Sequence, residues 1–199
     1  MTSGTSLTAD ELGSNAQRER RTRILDATIA LASEGGFDAV QMRSVAEKAD
    51  VALGTLYRYF PSKIHLLVSA LAREFDTAEA SLAGRTIPGD TGADRVINVL
   101  HRLTRGLQDD QHLADALTRA FMFADSSVAA EIHRVGRTLT AILTRAMRPG
   151  SEDVTDDDVA VARVIGDVWL SALVAWVSGR STAAETAAHL DRAVRLILR

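Results

Sequence analysis

The chain has no cysteine, which excludes disulfide frameworks, thiolate metal ligands and thiol nucleophiles. Lysine is nearly absent as well: of 23 basic side chains only Lys48 and Lys63 are lysine, and the rest are arginine. Together with abundant alanine, this is the usage of a GC-rich bacterial genome, so an arginine's position says more than its identity. No apolar run approaches the ~18 uncharged residues of a membrane span. The start, MTSGTSLTADELG, lacks the basic and apolar regions of a secretory leader. Both features predict a cytoplasmic protein. Catalytic signatures are equally scarce. The histidines (His65, His101, His112, His133, His189) form no HExxH pair, and G-x-S-x-G, G-x-G-x-x-G and phosphate-cradling loops are missing. Asp109-Asp110-Gln111-His112 reads as a solvated helix junction before it reads as a metal site. The expectation is a protein with no catalytic residue, metal or cofactor.

What is present fits a globule. Of 199 residues 46% are apolar and 25% charged, enough for a core and too apolar for a disordered chain. Charge is uneven. Residues 16–64 hold eight basic and six acidic side chains, while the whole chain is −3. A mildly basic head on an acidic body suits a polyanionic partner. Both tyrosines lie in VALGTLYRYFPSKIHLL (51–67), flanking Arg58.

Helical periodicity runs almost throughout. Ile24, Ala27 and Leu31, with Leu25, Ile29 and Ala32, mark a helix over 14–34 that stops at Gly35-Gly36. Short helices follow at 42–49 and 53–59, separated by the turn Asp50-Val51-Ala52. Ser62 caps a longer helix reaching Leu82. GRTIPGDTGA (84–93) reads as a loop. Further helices fall at 94–108, 111–123, 126–147, 156–179 and 183–198, with Thr155 before three aspartates and Thr182-Ala-Ala-Glu185 marking two starts. Alternating strand patterns are missing. The fold class predicted is all-α with about nine helices: an arm over 1–13, a head over 14–61 and a body over 62–199.

Two short helices joined by a three-residue turn, with a third helix before them, form a helix-turn-helix. On a helical wheel Leu53, Leu56 and Phe60 share the inward face. Gly54, Thr55 and Arg58 point outward, with Tyr57 and Tyr59 on the flanks. Gly54 admits close backbone approach, Thr55 and Arg58 can address base edges, and the tyrosine hydroxyls can reach phosphates. Ser62-Lys63 adds a helix N-terminus and a cation, a phosphate site in itself. Arg18, Arg20, Arg21 and Arg23 oppose the dipole of their own helix, and nearby phosphates would offset that.

ILDATIALASEGGFDAV followed by MRSVAEKADVALGTLYRYFPSKIHLL resembles the DNA-binding domain of the TetR family of bacterial transcriptional repressors. The resemblance implies DNA contacts from Gln41, Arg43, Leu53, Thr55, Tyr57, Tyr59 and Lys63. Asp50 stands where that family usually has glycine, and Ala52 where it often has a capping serine. ELGSNAQRERRTRILDAT, AFMFADSSVAAEI and RVIGDVWLSALVAWV are similar, more narrowly, to the actinobacterial TetR-type repressors of cholesterol and other sterol catabolism. That likeness implies a steroid-type coenzyme A thioester as inducer.

Taken alone, the apolar residues of the body read as core; with that likeness they also suit a pocket within residues 96–176. Leu103, Leu117, Phe121, Trp169 and Leu173 are the expected pocket lining, with Arg102, Arg105, Arg119, Arg134 and Arg137 as candidate partners for coenzyme A phosphates. The helix over 156–179 is apolar nearly all round, with Arg163 and Asp167 placed to pair. It therefore needs cover on both sides, and a second subunit would supply it through Gly166, Leu170, Ala187, Leu190 and Val194. The partners expected are a double-stranded operator, a lipophilic effector and a second copy of the chain, with no membrane. Other readings are a TetR-type regulator of drug efflux or fatty-acid metabolism, a small all-α lipid carrier or enzyme, and a partner-binding scaffold.

Overall fold

The computed structural model describes residues 9–150 and 153–199, and among them every regular element is helical. The chain runs through α1 (Ala9–Ala39), α2 (Met42–Lys48), α3 (Leu53–Tyr59) and α4 (Lys63–Leu82). It continues through α5 (Gly92–Gln108), α6 (Gln111–Met122), a 3-10 turn at Ser126–Val128, α7 (Ala129–Met147), α8 (Asp156–Val177) and α9 (Ala183–Ile197). Helix α1 begins inside the stretch read as an arm, whose residues 1–8 lie outside the described residues.

Local chemistry sets the breaks. In α1 the helix is interrupted where Gly36 takes φ 68, a left-handed value. A Cβ there would also meet Asp115 Oδ2 at 3.3 Å. Thr155 with Asp158, and Thr182 with Glu185, close reciprocal capping boxes. A third such box, Thr91 with Asp94, starts α5 at Gly92, inside the segment read as loop. There the capping pair outweighs the glycine-rich composition.

Two apolar cores result. Head residues Ile24, Leu25, Val45, Leu56 and Phe60 pack with Leu66, Leu67 and Val68 of α4 and with Ala116, Leu117 and Ala120 of α6. The body core joins Phe75, Val96, Leu100, Ile142, Leu143, Ile165, Trp169, Leu190 and Val194. Helix α4 crosses from one core to the other, so the head's packing runs past residue 61 to Ala70. Leu66 and Leu67 are fully buried, each worth roughly 1.5–3 kcal/mol against exposure.

Helix α8 is, among the described residues, the one long and apolar enough to span a membrane, and only 28% of its most apolar window is buried. On one face of α8, Val164 and Ser171 are exposed and Val168 and Ala175 half-buried, Val168 packing in part against the body core. No ion pair forms between Arg163 and Asp167. Asp167 instead shares a cavity wall with Arg163.

Candidate nucleic-acid interface and apolar cavity

The turn between α2 and α3 is a Schellman closure. Val51 N–H donates to Ala46 O at 3.0 Å and Asp50 N–H to Glu47 O at 3.2 Å. Asp50 takes φ 52, the left-handed position that glycine would fill, as a short polar side chain can. Ala52 then caps α3 without a side-chain hydrogen bond. Leu56 and Phe60 are buried beneath α3, while Gly54 and Arg58 are exposed, Thr55 is half-buried, and a Cβ on Gly54 would meet open space. Tyr57 is 47% exposed. Tyr59 is half-buried with its ring 6.4 Å from that of Phe60. Gln41 and Arg43 are exposed at the start of α2, and Leu53 is half-buried.

At the start of α4 the Ser62 hydroxyl accepts from His65 N–H and meets His65 Nδ1 at 3.0 Å. The Lys63 ammonium lies 3.8 Å from the centre of the Phe37 ring. Burial lowers its pKa, with Asp38 opposing and Arg119 adding to the shift. The basic face of α1 is less open than an arm. Arg21 packs over Phe60, its guanidinium 5.5 Å from the ring centre, and burial lowers its pKa. Arg18 is exposed and donates to Asn15, Arg20 is half-buried, and Arg23 is exposed.

Beneath the head lies a two-lobed apolar cavity, about 150 Å³ on one side and about 220 Å³ on the other. Leu71, Phe75, Leu107, Leu117 and Trp169 line both lobes. Of the expected lining, Phe121 and Leu173 face the first lobe and Leu103 the second. Trp169 is pinned twice: its Nε1–H donates to Thr104 Oγ1 at 2.8 Å, and its ring meets that of Phe75 edge-on at 6.0 Å. Arg163 borders the first lobe and Arg102 the second.

Residues 24–70 match the family described as bacterial regulatory proteins, tetR family, and residues 89–197 match the tetracyclin repressor-like C-terminal domain. The chain is 57% identical over 189 residues to the HTH-type transcriptional repressor KstR of Rhodococcus jostii, covering 95% of this chain and 87% of that one. The chain belongs to the TetR family. It is a helix-turn-helix transcriptional repressor. A TetR transcriptional regulator from Rhodococcus sp. RHA1 superposes with TM-score 0.81 at 33% identity, over 92% of this chain and 97% of that one. Thermus thermophilus FadR, solved in complex with lauroyl-CoA, shares the fold at TM-score 0.69 and 20% identity, over 89% of this chain and 93% of that one.

Within the TetR frame, several expected residues stand elsewhere. Leu190 and Val194, read as subunit contacts, are each 1% exposed and belong to the chain's own core, so no partner can cover them. Gly166 and Leu170 face the first lobe, where a Cβ on Gly166 would meet Leu139 at 3.2 Å. Ala187 is half-buried. Among the arginines read as phosphate partners, Arg119 pairs with Asp38 and Asp115 and Arg134 with Asp76, and neither lines the cavity. Arg105 and Arg137 are exposed, and Arg102 borders the cavity. Asp110 caps α6 by accepting from Leu113 N–H at 2.9 Å, and His112 Nδ1 meets Ser33 O at 3.2 Å. That junction is structural, and no cluster of metal-ligating side chains occurs among the described residues. Sequence reasoning missed Leu71 and Phe75 because their helical spacing is that of any core, whereas Leu107 lies within the span expected to hold a pocket.

Proposed function

We propose that the chain is a cytoplasmic homodimer that represses sterol or related lipid catabolism genes and leaves a palindromic operator when a steroid-like coenzyme A thioester binds. The observation that carries this reading is the apolar cavity against α6. Each lobe is smaller than the roughly 300 Å³ at which ligand pockets begin. A four-ring acyl group therefore fills both and displaces the wall of Leu107, Leu117 and Trp169 between them. Leu117 also belongs to the head's core, so the displacement reaches the DNA-binding helices. Coenzyme A phosphates are too polar to bury and stay at the rim, where Arg102 and Arg163 stand. Tyr57, Tyr59 and Lys63 supply phosphate contacts, while Thr55 and Arg58 read bases from the exposed face of α3. The low burial of α8, with Val164 50% exposed, supports the second subunit, because apolar surface of this kind favours cover.

Linkage makes the reading testable. An effector that releases DNA must bind the free protein more tightly than the DNA-bound one, by the same factor by which it weakens DNA binding. Calorimetry with a cholestenoyl-type coenzyme A ester, with and without operator, should give weaker binding in the presence of DNA. Equal affinities would sink induction by that ester. Selective response to lauroyl-CoA in the same titrations would replace the steroid with a fatty acyl chain.

A further inference from the structure

Lysine is a flexible, strongly hydrated point charge, a poor choice for a precise phosphate contact unless something holds it. Lys63 is held. Its ammonium sits 3.8 Å from the centre of the Phe37 ring, and among the described residues it makes no ion pair. The same ring meets the Arg119 guanidinium at 5.4 Å and the Phe123 ring at 6.1 Å, tilted 55°. Arg119 is itself fixed by Asp38 at 3.7 Å and Asp115 at 3.6 Å. Phe123 is 61% exposed, and its ring rests against Phe37.

We propose that Phe37 is a positioning residue for DNA binding, whose ring holds the Lys63 ammonium in line with a backbone phosphate while Arg119 and Phe123 hold the ring. The negative face of an aromatic ring attracts a cation without neutralising it. The charge on Lys63 is therefore oriented yet unspent, beside the N-terminus of α4, where backbone N–H groups also favour an anion. Lys63 is half-buried, and that burial lowers its pKa while Asp38 opposes the shift. The supports come from one end of α6 and the residue after it, the helix whose Leu117, Thr118 and Phe121 line the cavity. Side chains that steady the phosphate contact and side chains that touch an effector thus share a single helix. This inference rests on the DNA-binding reading and goes beyond it by assigning a role to a residue that touches no DNA.

The test uses the full chain, a duplex that it selects from a random pool, and a scrambled duplex of the same composition. Phe37→Leu keeps the apolar volume and loses the ring. It should weaken binding to both duplexes by about three- to thirtyfold, the span of a cation–π contact, and Phe37→Tyr should restore most of the loss. In a Lys63→Gln background Phe37→Leu should cost nothing further. Phe123→Ala, at a ring 61% exposed, should give a smaller loss that also vanishes with Lys63→Gln. Unchanged or tighter binding by folded Phe37→Leu and Phe123→Ala proteins, or equal losses with and without Lys63, would overturn the assignment. A pool from which the unmodified chain enriches nothing would remove DNA binding itself, and the proposal with it.

Discussion

Trp169→Phe is the sharpest perturbation of the cavity wall. The indole is 4% exposed and its Nε1–H donates to Thr104 Oγ1, on a side chain 5% exposed. Phenylalanine keeps the edge-on contact with Phe75 but strands the buried hydroxyl. An unsatisfied buried polar group costs about 1–3 kcal/mol, which in a chain of this size lowers Tm by roughly 2–12 °C. Thr104→Val alone should cost a similar amount by stranding the indole N–H. The double variant removes both polar partners and should recover most of the loss, with a coupling energy of about 0.5–3 kcal/mol. Urea denaturation at one fixed protein concentration measures it, since the stability of the proposed dimer would depend on concentration. Trp169 lines both lobes and Thr104 lines neither, so effector affinity should change with Trp169→Phe and persist in Thr104→Val. Strictly additive losses in the double variant would refute the hydrogen bond as the reason the indole stands where it does.

Ala52→Ser should add the missing cap of α3, raising stability by about 1 kcal/mol and tightening DNA binding. A lower unfolding midpoint would contradict it. Val164→Glu, placed at a side chain 50% exposed, should give monomers in sedimentation, whereas Leu190→Glu, at 1% exposure, should unfold the chain. Acid unfolding should follow the capping boxes. Asp94 is held below the usual carboxylate range first by its side-chain bond from Thr91, and Asp158 and Glu185 by backbone N–H groups of Thr155 and Thr182. Their folded pKa values lie below the unfolded ones. The stability they add is complete above the ordinary range near pH ~4 and drains away as pH falls through the folded values. Asp158→Asn should flatten that acid limb while leaving the neutral plateau lower.

Much of this was legible in the chain because its signals are local. Gly35-Gly36, Thr155, Thr182 and the Leu53–Leu56–Phe60 stripe each act within one or two turns, and each lies where its chemistry predicts. Thr91 with Asp94 is equally local, yet the surrounding glycines and proline hid it. Leu190 and Val194 show a different limit. An apolar stripe declares that a helix face is covered and never whether the cover is the same chain or another. The contacts of Lys63 with Phe37, and of Trp169 with Thr104, join helices far apart in sequence. Nothing in one residue's neighbours foretells such a pair.

Leu117 is at once part of the head's core and part of the wall of both lobes. If the cavity takes the proposed effector, no seam separates it from the DNA-binding head. A hybrid regulator made by cutting at the end of α3 and grafting a foreign head would leave Ala116, Leu117 and Ala120 facing surfaces they were not shaped for. On the proposed reading, substitutions on α3 or on the far side of the cavity should change target or effector with less loss of stability than exchange of the whole head.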